Sequence, residues 1–384
     1  MAVTNFNTKN AAILSIFYFF HFGSLGVFVP FSALYLKYAG FDGVKIGILL
    51  SVIPLTKFLF TDLWTKSYSK RLNKKMFVVI NLLVSNLVLF ALLIPSFTTV
   101  FITFFIYAVT RVGVLPVIDN ITNEFSLISK NEYGRIRLFG SLGFIVFTTM
   151  MGIMAAEISL NSFIFLGVLV GVLGAISIIP TDLIKNGVRE TLNISSLKLS
   201  SEFKIIIISA IFTYINLTFF HNFFNVKFDI SSISQIYAGV AWSVGILAEI
   251  VLMYYAKDIF RKFNFFELLL LANVSGIIRS AVICFSASAL VLISINVLHG
   301  LAFGGFHLAI IKYIQSSVDI DRRLKAQSAY AAYIYGFSTI SGSIISGFLY
   351  DVLNLNLMFL SGIIFPLVSI LILLLSQKKN FGKM

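Results

Sequence analysis

Charge is what this sequence has least of. Asp, Glu, Lys and Arg make up 12% of its 384 residues, about half of the roughly 25% found in soluble domains. With 58% hydrophobic residues and a mean hydropathy of +0.96, the scarcity of charge excludes a water-soluble globular chain. Cysteine is nearly absent too. The one thiol, Cys284, lies in an apolar run, so an intrachain disulfide is excluded and a small packing residue is expected. Catalytic signatures are missing as well. There is no phosphate-binding Gly-rich loop ending in Gly-Lys-Ser/Thr, no Gly-x-Ser-x-Gly elbow and no His-Glu-x-x-His helix. Without a phosphate loop the chain is no ATP-driven pump by itself, which leaves an ion gradient or facilitation. No enzyme activity, cofactor or metal is expected. The 41 phenylalanines accompany abundant Ile, Lys and Asn, and read as codon bias before they read as aromatic chemistry.

Long apolar runs stand where charge is missing. Twelve are long enough to cross a bilayer, which takes about 20 residues. They are roughly 11–37, 45–65, 76–95, 98–122, 138–158 and 161–180, then 203–226, 233–255, 265–285, 289–313, 327–350 and 354–376. The first run is too long for a signal-peptide core and is expected to be retained. The net charge of +13 sits in short loops rather than in a nucleic-acid-binding patch. Among loop residues, only Lys37, Lys45 and Lys227 fall on one side. Clusters such as Lys66–Lys75, Lys257–Lys262 and Arg322–Lys325 fall on the other. By the positive-inside rule, both termini are cytoplasmic and the chain is a multi-pass protein of the inner membrane.

The longest polar interruption, Thr181–Glu202, divides the runs six and six. The expected plan is an N-terminal bundle over 1–183, a cytoplasmic linker over 184–202 and a C-terminal bundle over 203–384. That is an all-α protein of twelve transmembrane helices in two pseudo-symmetric bundles, as a duplicated transporter would be. Each half carries a basic segment after its second span and an Arg-rich entry to its fifth. Glycines follow that entry, at 140 and 143 and at 336, 342 and 347, where small residues let helices approach closely.

The titratable residues inside spans are the candidates for chemistry, because a charge at that depth needs a partner or a wet cavity. In the second half these are Glu249, Arg279 and His299, on three different spans. His299 opens the segment His299-Gly-Leu-Ala-Phe-Gly-Gly-Phe-His307. A Glu/Arg pair would neutralise mutual charge and serve coupling if a proton or solute opened it, and a histidine switches near neutrality. His307 is read first as structural. In the first half, Arg111 and Asp119 flank Pro116 on the fourth span; Asp119 is the leading site residue and Lys57 its expected salt-bridge mate. Asn123, Arg135, Arg137, His21 and Gln327 are further cavity or gating candidates, as are Asn216, His221, Asn222 and Asn225 of the seventh span.

These residues together resemble the major facilitator superfamily, in the branch with lactose permease and the phenylpropionate and nucleoside permeases. The likeness is carried by Gly26-Val-Phe-Val-Pro30, Tyr35-Leu36 and Gly40, and by Tyr133-Gly-Arg-Ile-Arg-Leu-Phe-Gly-Ser-Leu-Gly-Phe144. It continues through Glu249, Arg279, the His299–His307 segment, Ala326-Gln327 and Gly342–Asp351. The resemblance implies a midplane cavity, alternating access and proton-coupled uptake. It matches Glu249, Arg279 and His299 to the acid, arginine and histidine of lactose permease's eighth, ninth and tenth spans. Asp119 matches its fourth-span carboxylate, and Arg135 or Arg137 its fifth-span arginine. Two features depart from it. Ala302 stands where lactose permease has a proton-carrying glutamate, and the Asp–Lys pair between its seventh and tenth spans is missing. The loop motif after the second span is degraded, with Thr65 and Ser69 in place of Gly and Asp.

The expected function is secondary active transport of a small organic solute across the inner membrane, by proton symport. An aromatic or other monocarboxylate is the first guess for the solute, since Arg111 and Arg279 are suited to a carboxylate. Sugar or nucleoside symport, proton-antiport export and a non-transporting scaffold or sensor are the alternatives. The expected partners are the solute and the lipid bilayer, with the monomer as the functional unit, no nucleic acid, and the proton gradient as driving force.

Overall fold

A chain this apolar must satisfy its backbone hydrogen bonds within each segment, and every regular element among the described residues is helical. The computed structural model describes residues 2–129, 132–184, 200–319 and 322–376. In chain order the helices are α1 (Thr8–Tyr38), α2 (Gly43–Ser69), α3 (Lys74–Leu93), α4 (Phe97–Ser129), α5 (Tyr133–Glu157) and α6 (Ser162–Ser177). They continue with α7 (Ser201–Ile230), α8 (Gln235–Tyr254), α9 (Phe265–Phe285), α10 (Ala289–Ser317), α11 (323–353) and α12 (Leu355–Ser376). Side-chain caps mark the starts: Asp42, Asn73, Ser96, Ser200 and Asn264 each accept from the amide three residues on. The linker expected over 184–202 lies almost wholly outside the described residues.

Ten of these helices are long and apolar enough to cross a membrane. The other two are α6, with 16 residues, and α11, whose apolar run is diluted by Ser338, Ser341, Ser343, Ser346, Gly336, Gly342 and Gly347. Those small polar residues are packing residues. Gly342, Ser343, Ser346 and Gly347 are all buried, so α11 turns them to protein and not to lipid.

Pro116 has a visible effect. It has no N–H to give the carbonyl four residues back, and α4 breaks there, between Arg111 and Val114. The break also frees the Thr110 carbonyl, which accepts the Trp64 indole N–H at 3.1 Å. A Cβ at Gly113 would collide with that indole ring, so glycine makes room for the plug. Trp64→Phe should therefore cost about 1 kcal/mol, the net worth of a buried hydrogen bond. A fall in melting temperature of a few degrees checks this, and a loss of more than about 10 °C would contradict it.

The two halves of the chain meet at the end opposite the termini, and the pairings are reciprocal. Helix α2 packs on α11 and α8 packs on α5, while α1 packs on α7. Backbone approaches backbone here. A Cβ at Gly43 would lie 2.5 Å from the Gly347 carbonyl, and one at Gly152 2.6 Å from that of Gln235. Gly47 and Gly347 likewise abut the carbonyls of Ser343 and Gly43. Polar contacts lock the same end. Lys37 pairs with Asp229 at 2.5 Å, and Tyr38 donates to the same carboxylate at 2.7 Å. Asp351, at the end of α11, accepts from the amides of Gly43 and Val44 at 2.6 and 2.8 Å. It thus caps the positive end of α2 from the other half. In the adjoining turn, the Lys45 ammonium and amide hold the Asp42 carboxyl below the usual carboxylate range.

Candidate functional site

Inside α4 and α5, beyond the break at Pro116, one carboxylate gathers three partners. Asp119 Oδ1 accepts from the Tyr18 hydroxyl at 2.6 Å and the Tyr133 hydroxyl at 3.1 Å, and lies 3.8 Å from Arg137 Nε. Arg137 is held in turn by rings: its guanidinium carbon is 3.8 Å from the Phe22 centroid and 5.3 Å from that of Tyr18. The mate of Asp119 is therefore Arg137, and the expected Lys57–Asp119 pair is not formed. Lys57 is solvent-accessible although it lies within α2, and its charge bears on Arg111. Arg135, one helical step of two residues away from Arg137, points out of the site: it is 82% exposed and pairs with Glu132. Asn123 and Gln327 are exposed as well.

Arg111 is buried, and it spends its donors on neutral protein groups. They go to the His21 carbonyl at 3.0 Å, Ser24 Oγ at 2.5 Å, the Tyr107 hydroxyl at 3.0 Å and Asn86 Oδ1 at 3.4 Å. His21 is buried against Phe17 beside it. This guanidinium ties α1, α3 and α4 together.

In the second half, the expected Glu249–Arg279 pair is not formed. Glu249 is half-buried on α8, beside Gly304 of α10, and has no ion-pair partner within 4.0 Å among the described residues. The charge of Arg137, from the other half, bears on it, and it acts electrostatically on the hydroxyls of Tyr214 and Tyr335. Tyr335 leads to His307: Nδ1 of that histidine lies 3.3 Å from the Tyr335 hydroxyl and 3.0 Å from that of Tyr330. These hydroxyls and the imidazole form a continuous polar thread towards the terminal end.

Arg279 and His299 lie deeper, at 3% exposure each. Arg279 stands over the Phe220 ring at 3.7 Å and donates to Asn296 Oδ1 at 3.1 Å. His299 stacks on Phe303, with centroids 5.6 Å apart and planes at 5°, and meets His221 edge-on at 5.8 Å. Trp242 closes the box, stacked on His221 at 5.8 Å and touching Phe220 at 5.1 Å and Phe144 of the first half at 6.2 Å. Its indole N–H is fixed by Asn225 Oδ1 at 2.8 Å. Trp242 escaped the sequence reading altogether. A signal for it was present: it is one of two tryptophans, inside a span that also carries Glu249.

Two wide turns adjoin this site. Gly300–Gly305 of α10 and Ala332–Ser338 of α11 are π-helical, a form that occurs frequently at functional sites. In the first of them glycine is required, since a Cβ on Gly300 would lie 2.8 Å from the Ala248 carbonyl.

Comparison with known proteins places this geometry in context. The profile of the family described as "MFS_1 like family" matches residues 11–361. An "Uncharacterized transporter YwbF" of Bacillus subtilis is 24% identical over 364 residues, 92% of this chain and 90% of that one. A "Probable 3-phenylpropionic acid transporter" of Escherichia coli is 24% identical over 358 residues, 89% of this chain and 91% of that one. Among solved structures, the nucleoside transporter NupG superposes with a TM-score of 0.84 at 18% identity, over 96% of this chain and 99% of that one. A peptide transporter POT mutant superposes at 0.78 with 12% identity, over 98% of this chain and 95% of that one. At such identities these structures bear on the fold alone.

Proposed function

The chain belongs to the MFS_1 like family, and from that premise we propose that it carries a small organic anion across the inner membrane by proton symport. Its relatives are transporters and not enzymes. One observation carries the coupling: Glu249 is a carboxylate inside a span, partly accessible and without an ion pair among the described residues, facing an arginine that Asp119 already holds. A carboxylate so placed can take up a proton and thereby release its electrostatic hold on Arg137 of the other half. Tyr335, His307 and Tyr330 supply the route to the terminal end. The anionic solute is favoured because Arg279 is a buried cation whose hydrogen bond goes to a neutral amide, with no carboxylate within 4.0 Å among the described residues, and an aromatic monocarboxylate is the first candidate. In this reading α6 and α11 complete twelve spans in two bundles, with the termini cytoplasmic and the monomer as the working unit. The end locked by Lys37, Asp229 and Asp351 is then external, and the structure is the inward-facing state of an alternating-access cycle.

The test is external pH in weakly buffered, de-energised cells expressing the protein, on addition of aryl carboxylates, sugars or nucleosides. Alkalinisation with the carboxylates alone is expected. Alkalinisation with a sugar or nucleoside would replace the solute class. Equilibration of labelled carboxylate with no pH change would replace symport by facilitation. Acidification would indicate exchange against protons, and no movement of any solute would favour a scaffold.

A further inference from the structure

A buried polar atom without a partner is rare enough that each one needs a reason. Among the described residues four such side-chain atoms occur: Arg279 Nε, His299 Nδ1, Asn225 Nδ2 and Gln235 Oε1. All four belong to the second half and are linked through Phe220 and Trp242. Arg279 and His299 both pack on Phe220, which touches Trp242, while Asn225 anchors the Trp242 indole and Gln235 donates to the Asn225 carbonyl. Arg279 is the most telling of them. It is a buried guanidinium with one hydrogen bond to a neutral amide and no carboxylate within 4.0 Å among the described residues. Arg111, by contrast, satisfies its donors on protein.

Resting on the transport reading above, we propose that Arg279, His299 and His221 form the subsite for the solute's carboxylate. The flat body of the solute then lies against Trp242 and Phe303. The chemistry of the box is that of an aryl carboxylate. Arg279 offers a cation with a free N–H. His299, as the tautomer protonated on Nδ1, offers a second donor. His221, half-buried, stands at the accessible edge and supplies the third nitrogen. Trp242 stacks on His221 and Phe303 meets His221 edge-on, which gives the subsite an aromatic wall suited to a planar group. Glu249 lies further towards the terminal end on the same helix as Trp242, so a solute entering from that end passes the proton-carrying carboxylate before it reaches the box.

The test uses Trp242 as its own reporter, in the Trp64→Phe background that leaves it the sole tryptophan. Purified protein is titrated with 3-phenylpropionate and with its neutral amide, 3-phenylpropionamide, following indole emission. The acid should give a saturable change, with the amide at least about tenfold weaker. Arg279→Gln should weaken the acid about ten- to a hundredfold and abolish its preference over the amide, as loss of a charge-assisted bond does. His221→Phe should weaken it several-fold, while Arg135→Gln changes nothing. Removing an unpaired buried charge should leave the melting temperature of Arg279→Gln unchanged or raised. A marked fall would make the arginine a structural one and overturn the proposal. So would equal response to acid and amide, or loss of binding in Arg111→Gln with Arg279→Gln unaffected. If vesicles accumulate labelled 3-phenylpropionate while Trp242 emission ignores it, the subsite is wrong and the transport reading stands. If vesicles accumulate only uridine or a sugar, the solute class fails and the subsite with it.

Discussion

Glu249→Gln is expected to lower pH-gradient-driven solute accumulation on the order of 100-fold, while solute exchange at equal pH stays within about twofold of wild type. Coupling between two sites is worth roughly 1–3 kcal/mol, or about 5–150-fold, and this change removes the group that carries it. Glutamine keeps the shape of glutamic acid but has no proton to exchange and no charge to set against Arg137. The protein would be fixed in the state that a protonated Glu249 allows. Exchange needs only the loaded carrier to reorient, and that step remains open. Proteoliposomes with and without an imposed pH gradient separate the two activities. If exchange falls as far as accumulation, Glu249 binds solute and the coupling role passes to Asp119 or His299.

A second large effect is expected at the closed end. Gly47→Val with Gly347→Val should hold that end apart and reduce net transport on the order of 100-fold. Each added side chain meets a backbone carbonyl of the other half, at Ser343 and at Gly43, and a carbonyl within a helix cannot turn aside. Overpacking of this kind costs about 1–3 kcal/mol per site. Here the cost falls only on the closed arrangement, so the population moves to the open one and the fold is kept. A thiol placed at Ser243, which is buried and bonded to Thr149 at 2.9 Å, reports the change when Cys284 is replaced by Ser. Its labelling by an impermeant maleimide, added on the side opposite the termini, should rise at least about tenfold. Unchanged labelling alongside lost transport would mean that the two glycines pack a helix pair that never separates.

Helix positions were legible from the sequence because hydropathy and loop charge determine them. The partners of the charged residues were not. A helix apolar on all sides has no periodicity from which to read its rotation, so Arg135 and Arg137 looked alike until Phe22 and Tyr18 were found enclosing the second. The same blindness put Lys57 opposite Asp119 and left Glu249 and Arg279 as an unresolved pair. One charged residue faces Arg137, and the other faces Asn296 and Phe220. Abundant phenylalanine reads as codon bias from composition alone, and composition does not single out the particular rings, Phe220, Trp242 and Phe303, that give His221 and His299 their setting. His221 itself was visible only as one polar residue among several on its span. Not every proline breaks its helix, either: α4 breaks at Pro116, while Pro30 and Pro54 sit inside unbroken helices.

The π turns at Gly300–Gly305 and Ala332–Ser338 give the second half a reserve that an unbroken α-helix lacks. Each holds about one residue more than the α turn it replaces. A single-residue deletion inside either would be absorbed locally, the wide turn closing to an ordinary one. The same deletion in the middle of α1 would swing every later side chain by about 100° and scramble the core. Alignments of related chains should therefore tolerate one-residue gaps at these two places within otherwise gapless spans.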